Sequence, residues 1–216
     1  MDNAMTASVE AAMTDGQIET LASSLRDAAR KHREEIPRDA GQEALGTPNL
    51  GMMMFAAYRK LVEEISKRIV RLVTVDRTRS LLNALKACGR KLYVNESVVA
   101  TAPLRNGAEA KMTYFTPRPE CYENGVLSCQ KLDDEYKMHR LVPDLQAQTD
   151  DNAKNPEFAD SKPNACQWKD KDGNWCYATF DVWRDERGVC VGRGDYAWSD
   201  DWSFGGVPDE SSASAV

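Results

Sequence analysis

The sequence is poor in the groups that acid–base and metal chemistry draw on. Its 216 residues include two histidines, His32 and His139. It carries no P-loop, no G-x-S-x-G, no H-E-x-x-H and no dinucleotide fingerprint. C-x-x-C pairs are missing, and so are helix-turn-helix, zinc-finger and RNA-recognition signatures. No apolar run approaches the roughly 18 to 20 residues that a membrane helix requires, so no membrane partner is expected. The opening, MDNAMTASVEAAMTDG, has no basic segment leading into an apolar one, and a signal peptide is not expected. Together these absences point to a cytoplasmic chain, or one assembled into a particle made in the cytoplasm. They give no grounds for a cofactor, a metal or an enzymatic activity.

What is present is globular in character. Hydrophobic residues make up 42% and charged residues 29%, proportions that suit one large domain or two small ones. The six cysteines, at 88, 121, 129, 166, 176 and 190, match no zinc spacing. They are expected to be free thiols, with Cys121 and Cys129, which flank a tight turn, the first candidates for a bridge. Charge is unevenly spread. From Arg59 to Lys91 there are ten basic and three acidic residues, and from Glu120 onward twenty acidic and ten basic ones. The two regions could attract one another or serve different partners.

The expected class is α+β. An N-terminal helical hairpin or small helical bundle is followed by antiparallel β hairpins and a C-terminal three-stranded β meander. Residues 1–13 read as disordered and 14–90 as helical. Thr14 and Gln17 form a capping box. A 3.6-residue apolar period from Leu50 to Leu72 predicts one long helix. A shorter helix carries Leu81, Leu82, Leu85 and Cys88, with Asp76 as a possible cap and Gly89 at its C-terminal end. Residues 91–142 read as a β-hairpin region. Val98–Ala102 pairs with Ala110–Phe115 across Asn106-Gly107, and a short helix lies within 132–142. Residues 143–164, rich in Asp, Asn, Gln and Pro, read as a flexible linker and internal boundary. An aromatic-rich meander occupies 165–204, with turns at Asp172-Gly173 and Asp185–Gly188. A disordered tail occupies 205–216.

The meander holds the most distinctive candidate. If Arg184 opposes Val189, then Trp175, Tyr177, Trp183, Tyr196 and Trp198 share one strand face, extended by Trp202. Cys176, Ala178, Phe180 and Val182 take the other face with Val189 and Val191. The aromatic set reads as a partner-binding platform, since Trp and Tyr dominate such surfaces. The competing reading is a core face packed on the helical half. Among the cations, Lys67, Arg68, Arg71, Arg77 and Arg79 are candidates for binding an anionic polymer. The competing reading there is a solvated face, or one docked on the chain's own acidic half. His139 can be drawn into a Cys–His dyad, and Asp195, Asp200 and Asp201 into a hard-cation site. Arg193-Gly194-Asp195 spells an adhesion tripeptide but falls inside an expected strand.

The leading expectation is therefore a non-enzymatic protein–protein interaction or assembly protein. A structural subunit of a phage or virus particle would be one example, with a protein partner or self-association. A nucleic-acid or anionic-polymer binder using the basic helices at 59–91 is the second reading. A thiol-dependent enzyme using a Cys with His139 is the third.

Overall fold

The computed structural model describes residues 13–210, and of residues 60 and 63–66 the backbone alone. The chain divides into two units, residues 1–58 and 59–216. The fold is α+β, with helices first and a mixed eight-stranded sheet after them.

Helix α1 (Asp15–Lys31) opens as its sequence predicts, with Thr14 and Gln17 completing a reciprocal capping box. It is followed by α2 (Arg38–Leu45) and α3 (Leu50–Ser66). No residue of α1 or α2 is buried. The long helix expected through Leu72 stops at Ser66, and strand β1 (Ile69–Thr74) follows. The run Ile-Val-Arg-Leu-Val-Thr is rich in β-branched residues, and Val73 gains a buried place against the sheet. Helix α4 (Leu81–Ala87) is capped by Ser80, whose hydroxyl accepts from the Asn83 amide. Asp76 instead closes a local turn by accepting from Thr78. Gly89 takes the positive φ of 74° expected after the helix.

After strand β2 (Lys91–Val94), the expected strand at 98–102 is instead helix α5 (Glu96–Val99), capped by Asn95. No hairpin forms across Asn106-Gly107, since no strand directly precedes it, and β3 (Glu109–Phe115) pairs instead with β1 and the last strand. Helix α6 (Cys129–Met138) starts from a Ser128 cap, and β4 (Leu141–Val142) follows.

The stretch expected to be a linker, 143–164, is the largest correction. It forms helices α7 (Leu145–Lys154) and α8 (Pro156–Ser161), and every residue from Leu145 to Asn152 is buried. A burial stripe made of Gln, Thr, Asp and Asn leaves no hydrophobic period to read. Strands β5 (Asn164–Lys169), β6 (Trp175–Trp183) and β7 (Glu186–Arg193) form the expected meander. The expected tail begins inside β8 (Ser203–Pro208), a central strand. Gly205 and Gly206 are required there. A Cβ at 205 would stand 2.9 Å from Met112 and from Tyr114, and one at 206 would stand 3.0 Å from Tyr136. The expected disorder at 1–12 and 211–216 lies outside the described residues.

The sheet order is β1-β3-β8-β5-β6-β7-β2, with β4 paired to β8. Helices α4, α5, α7 and α8 cover one face over two clusters, built on Leu85, Val98, Cys166 and Phe180 and on Val73, Met112 and Tyr114. On the other face α6 and the segment at 196–202 cover the centre, through Leu132, Tyr136, Trp198 and Phe204. At both ends of that second face the side chains are exposed, Val70 and Leu72 on β1 and Tyr93 and Trp183 on β2 and β6.

Candidate functional site, the aromatic face of the sheet

Alternation along β6 sends Trp175, Tyr177, Thr179, Asp181 and Trp183 to the second face. The β6–β7 hairpin closes on Arg184-Asp185, with φ of 49° and 62°. Two consecutive positive φ values mark a two-residue turn matched to strand twist. Phe180, and not Arg184, therefore opposes Val189, and Trp183 opposes Glu186. Because the change of register is even, each side chain keeps the face expected of it. What changes is the pairing: Tyr177 opposes Gly192, and Tyr196 and Trp198 lie beyond the end of β7.

Those two residues still reach the face, because the segment after β7 folds back across it. Trp198 exchanges backbone hydrogen bonds of 2.9 and 3.2 Å with Leu127. Its ring then lies 4.3 Å from Tyr196, 5.4 Å from Trp202 and 5.0 Å from Phe204, centroid to centroid. Tyr177 joins at 4.8 Å from Tyr196. Its ring occupies the space above Gly192, where a Cβ would meet the hydroxyl at 2.7 Å. Four of the six expected aromatic residues thus gather, and they gather as a core. Trp198 and Trp202 are buried, while Tyr177 and Tyr196 are half-buried at its margin.

The remainder of the face is open. Trp183, at the hairpin tip, is 65% exposed, and Tyr93 on β2 is 50% exposed. Between them lie Asp181, Cys190 and Gly188, the last leaving room for the Tyr93 ring. Lys91 bridges to Glu186 at 2.6 Å and lies 5.6 Å from the centre of the Tyr93 ring. Trp175 sits at the far end of β6 under the Lys169 ammonium, 4.3 Å from its ring centre. Burial pushes the Asp181 carboxyl above its usual range, with the nearby Arg90 opposing. Burial, and then Asp181, pushes the Cys190 thiol up as well, which keeps it protonated at neutral pH. Tyr93 is absent from the sequence-derived set. The alternation in Lys-Leu-Tyr-Val was its signal, but four residues are too few for a period to stand out.

The basic candidates are placed elsewhere. Arg77 makes a two-pronged contact with Asp144, at 2.9 and 2.5 Å. Arg79 bonds Asp150 at 2.5 Å and Arg71 bonds Asp151 at 3.0 Å. All three carboxylates belong to α7 or its cap, and their side chains are 2%, 7% and 2% exposed in chain order. Tyr114 and Asn155 also donate to Asp151, at 2.7 and 2.8 Å. Arg68 contacts His139, whose ring packs at a tilt against Phe115 with centroids 4.3 Å apart. Lys67 is exposed.

The six cysteines are free, Cys121 and Cys129 included. Cys121 donates to Glu135 at 3.3 Å, and burial together with that carboxylate pushes its thiol to about 11. Cys129 receives the Tyr196 amide at 3.3 Å. Asp195, Asp200 and Asp201 do not gather. Among the described residues no three His, Cys, Asp or Glu side chains form a metal-ligating group. Arg193 of the adhesion-like tripeptide pairs with Asp170 at 3.0 Å. No described helix is long and apolar enough to cross a membrane. Comparison with protein-family models, with curated proteins and with solved structures finds no match for the chain.

Proposed function

We propose that the protein acts by binding other protein, as an interaction or assembly subunit of a larger particle such as a phage or virus virion, and not by catalysis. The observation that carries this reading is the open aromatic end of the sheet face. There Trp183 and Tyr93 stand exposed on the same face as the half-buried Tyr177, and Gly188 and Gly192 leave room for the Tyr93 and Tyr177 rings. Rigid aromatic side chains on a strand lose little entropy when covered, and they bury large apolar areas with a polar tip. Internal contacts weigh against the rival readings. Arg71, Arg77 and Arg79 are neutralised by α7 carboxylates, so they offer a polyanion little net charge. Burial raises the thiols of Cys88, Cys121, Cys129, Cys166 and Cys190, the reverse of what a nucleophilic cysteine needs.

The test is affinity capture from the native host with two baits, the wild-type chain and a Tyr93→Ala/Trp183→Ala double variant. Both are to melt at closely similar temperatures, since both side chains are exposed. A protein enriched on the wild-type bait and lost from the variant supports the proposal. An identical set of captured proteins on both baits contradicts it.

A further inference from the structure

The other exposed end of the same sheet face lies at β1, and its open edge carries an inference separate from the aromatic end. Strand β1 pairs with β3 along its whole length, Ile69 opposite Tyr114 through Thr74 opposite Glu109. It stands first in the strand order, so among the described residues no strand lies beside its second edge. The Val75 amide donates to Ala108 at 2.8 Å, which sets the phase of the ladder. Ile69, Arg71 and Val73 bond inward to β3, and the N–H and C=O groups of Val70, Leu72 and Thr74 point outward. Lys154 donates to the Thr74 carbonyl at 3.3 Å. No described residue bonds the outward groups of Val70 or Leu72.

An edge of this kind is normally guarded by a lysine, a proline, a bulge or an inward-pointing charge. The sequence IVRLVT has no lysine and no proline, it pairs with β3 without a bulge, and its inward-pointing charge is already paired within the chain. Its one charge, Arg71, is turned to the opposite face, where it pairs with Asp151 at 3.0 Å and lies 4.1 Å from the centre of the Phe158 ring. On the open side Val70 is 50% exposed and Leu72 is 75% exposed. The far edge of the sheet contrasts with this. Strand β2 has only four residues, begins with a lysine and ends in the Asn95 cap of α5.

We infer that β1 pairs with β1 of a second copy of this chain, continuing the sheet across a two-fold axis at Leu72. The strand is suited to itself in that register. Leu72 opposes Leu72 of the second copy, and Val70 opposes Thr74, so outward backbone groups meet outward backbone groups. Each copy keeps its apolar side chains on the same face of the joined sheet, as the pleat requires. Arg71 then falls opposite Val73. A register centred on Arg71 would set two guanidinium groups directly opposite one another, which is destabilising. A six-residue edge is smaller than the roughly 1,000 Å² of a permanent interface, so the dimer is concentration-dependent.

Sedimentation velocity on the full chain, from micromolar to near-millimolar concentration, is the test. The mass is expected to rise from 24.1 kDa toward twice that value, and Leu72→Lys is expected to weaken the association by about tenfold or more. Amide hydrogen exchange on the wild-type chain is the companion measurement. The Val70 and Leu72 amides are expected to slow as the dimer forms, a result that does not depend on how any variant folds. A chain that stays monomeric throughout would overturn the inference. So would a dimer in which Leu72→Lys changes nothing, or in which those two amides exchange at an unchanged rate. None of these outcomes depends on whether Tyr93 and Trp183 bind a partner.

Discussion

Cys121 shows how local contacts decide what a side chain can do. A cysteine and a histidine close in sequence suggest a nucleophile and its base, but the thiol faces Glu135 and not an imidazole. Burial, and then the carboxylate, pushes the thiol up to about 11 from its ordinary 9.0. The folded state therefore binds this proton more tightly than the unfolded state does. The corresponding stability is present in full below pH 9 and is lost as pH rises toward 11. Alkylation of Cys121 by iodoacetamide, followed by peptide mass spectrometry, is expected to be slow at pH 7.5 and to accelerate only in the alkaline range. Rapid labelling at neutral pH would return the thiol-enzyme reading to contention. The glycines teach the complementary lesson. Gly205 and Gly206 read as tail because they carry no hydrophobic signal, yet Met112 and Tyr114 press on one and Tyr136 on the other. Their meaning lies in neighbours more than sixty residues away in sequence.

At the scale of elements, legibility followed the kind of side chain that was buried. The α1 capping box, the Gly89 terminus and the β5–β6–β7 meander were readable because caps, turn glycines and apolar alternation are local signals. Strand β1 was misread as helix because Ile69 and Leu72 happen to continue the period of α3. Helix α5 was misread as strand because Val98 and Val99 outweighed the Asn95 cap before them. Helix α7 was missed altogether. Its buried surface is hydrogen-bonded and polar. Gln148 donates to Asn164 at 2.7 Å, and Gln146 reaches the Asp76 and Arg79 carbonyls at 2.5 and 3.0 Å. In such a network an unpaired buried charge is costly. Asp151→Ala would strand Arg71 and the Tyr114 hydroxyl together. It is expected to cost about 3 to 5 kcal/mol, read as a lowered midpoint in urea unfolding. A loss below about 0.5 kcal/mol, the size of an ordinary surface change, would mean that α7 is not the packed element described here.

At the scale of the whole molecule, the charge asymmetry of the sequence has an internal explanation. The basic segment that follows α3 docks through Arg71, Arg77 and Arg79 on the acidic cap and body of α7. The surfaces proposed for partners are apolar and aromatic, at the two exposed ends of one sheet face. The sequence identified the aromatic residues and their common face. It could not divide them between core and surface, because that division depends on where the segment at 196–202 folds back. The functional account rests on this division, and thermal melting of two single variants tests it most directly. Trp198→Ala is expected to cost on the order of 3 to 5 kcal/mol through lost burial and an empty cavity, lowering the melting temperature by about 10 °C. Trp183→Ala is expected to stay within about 0.5 kcal/mol of the wild type. A Trp183→Ala variant that melts as low as Trp198→Ala would show that the open end is core, and would leave the proposed partner no surface to bind.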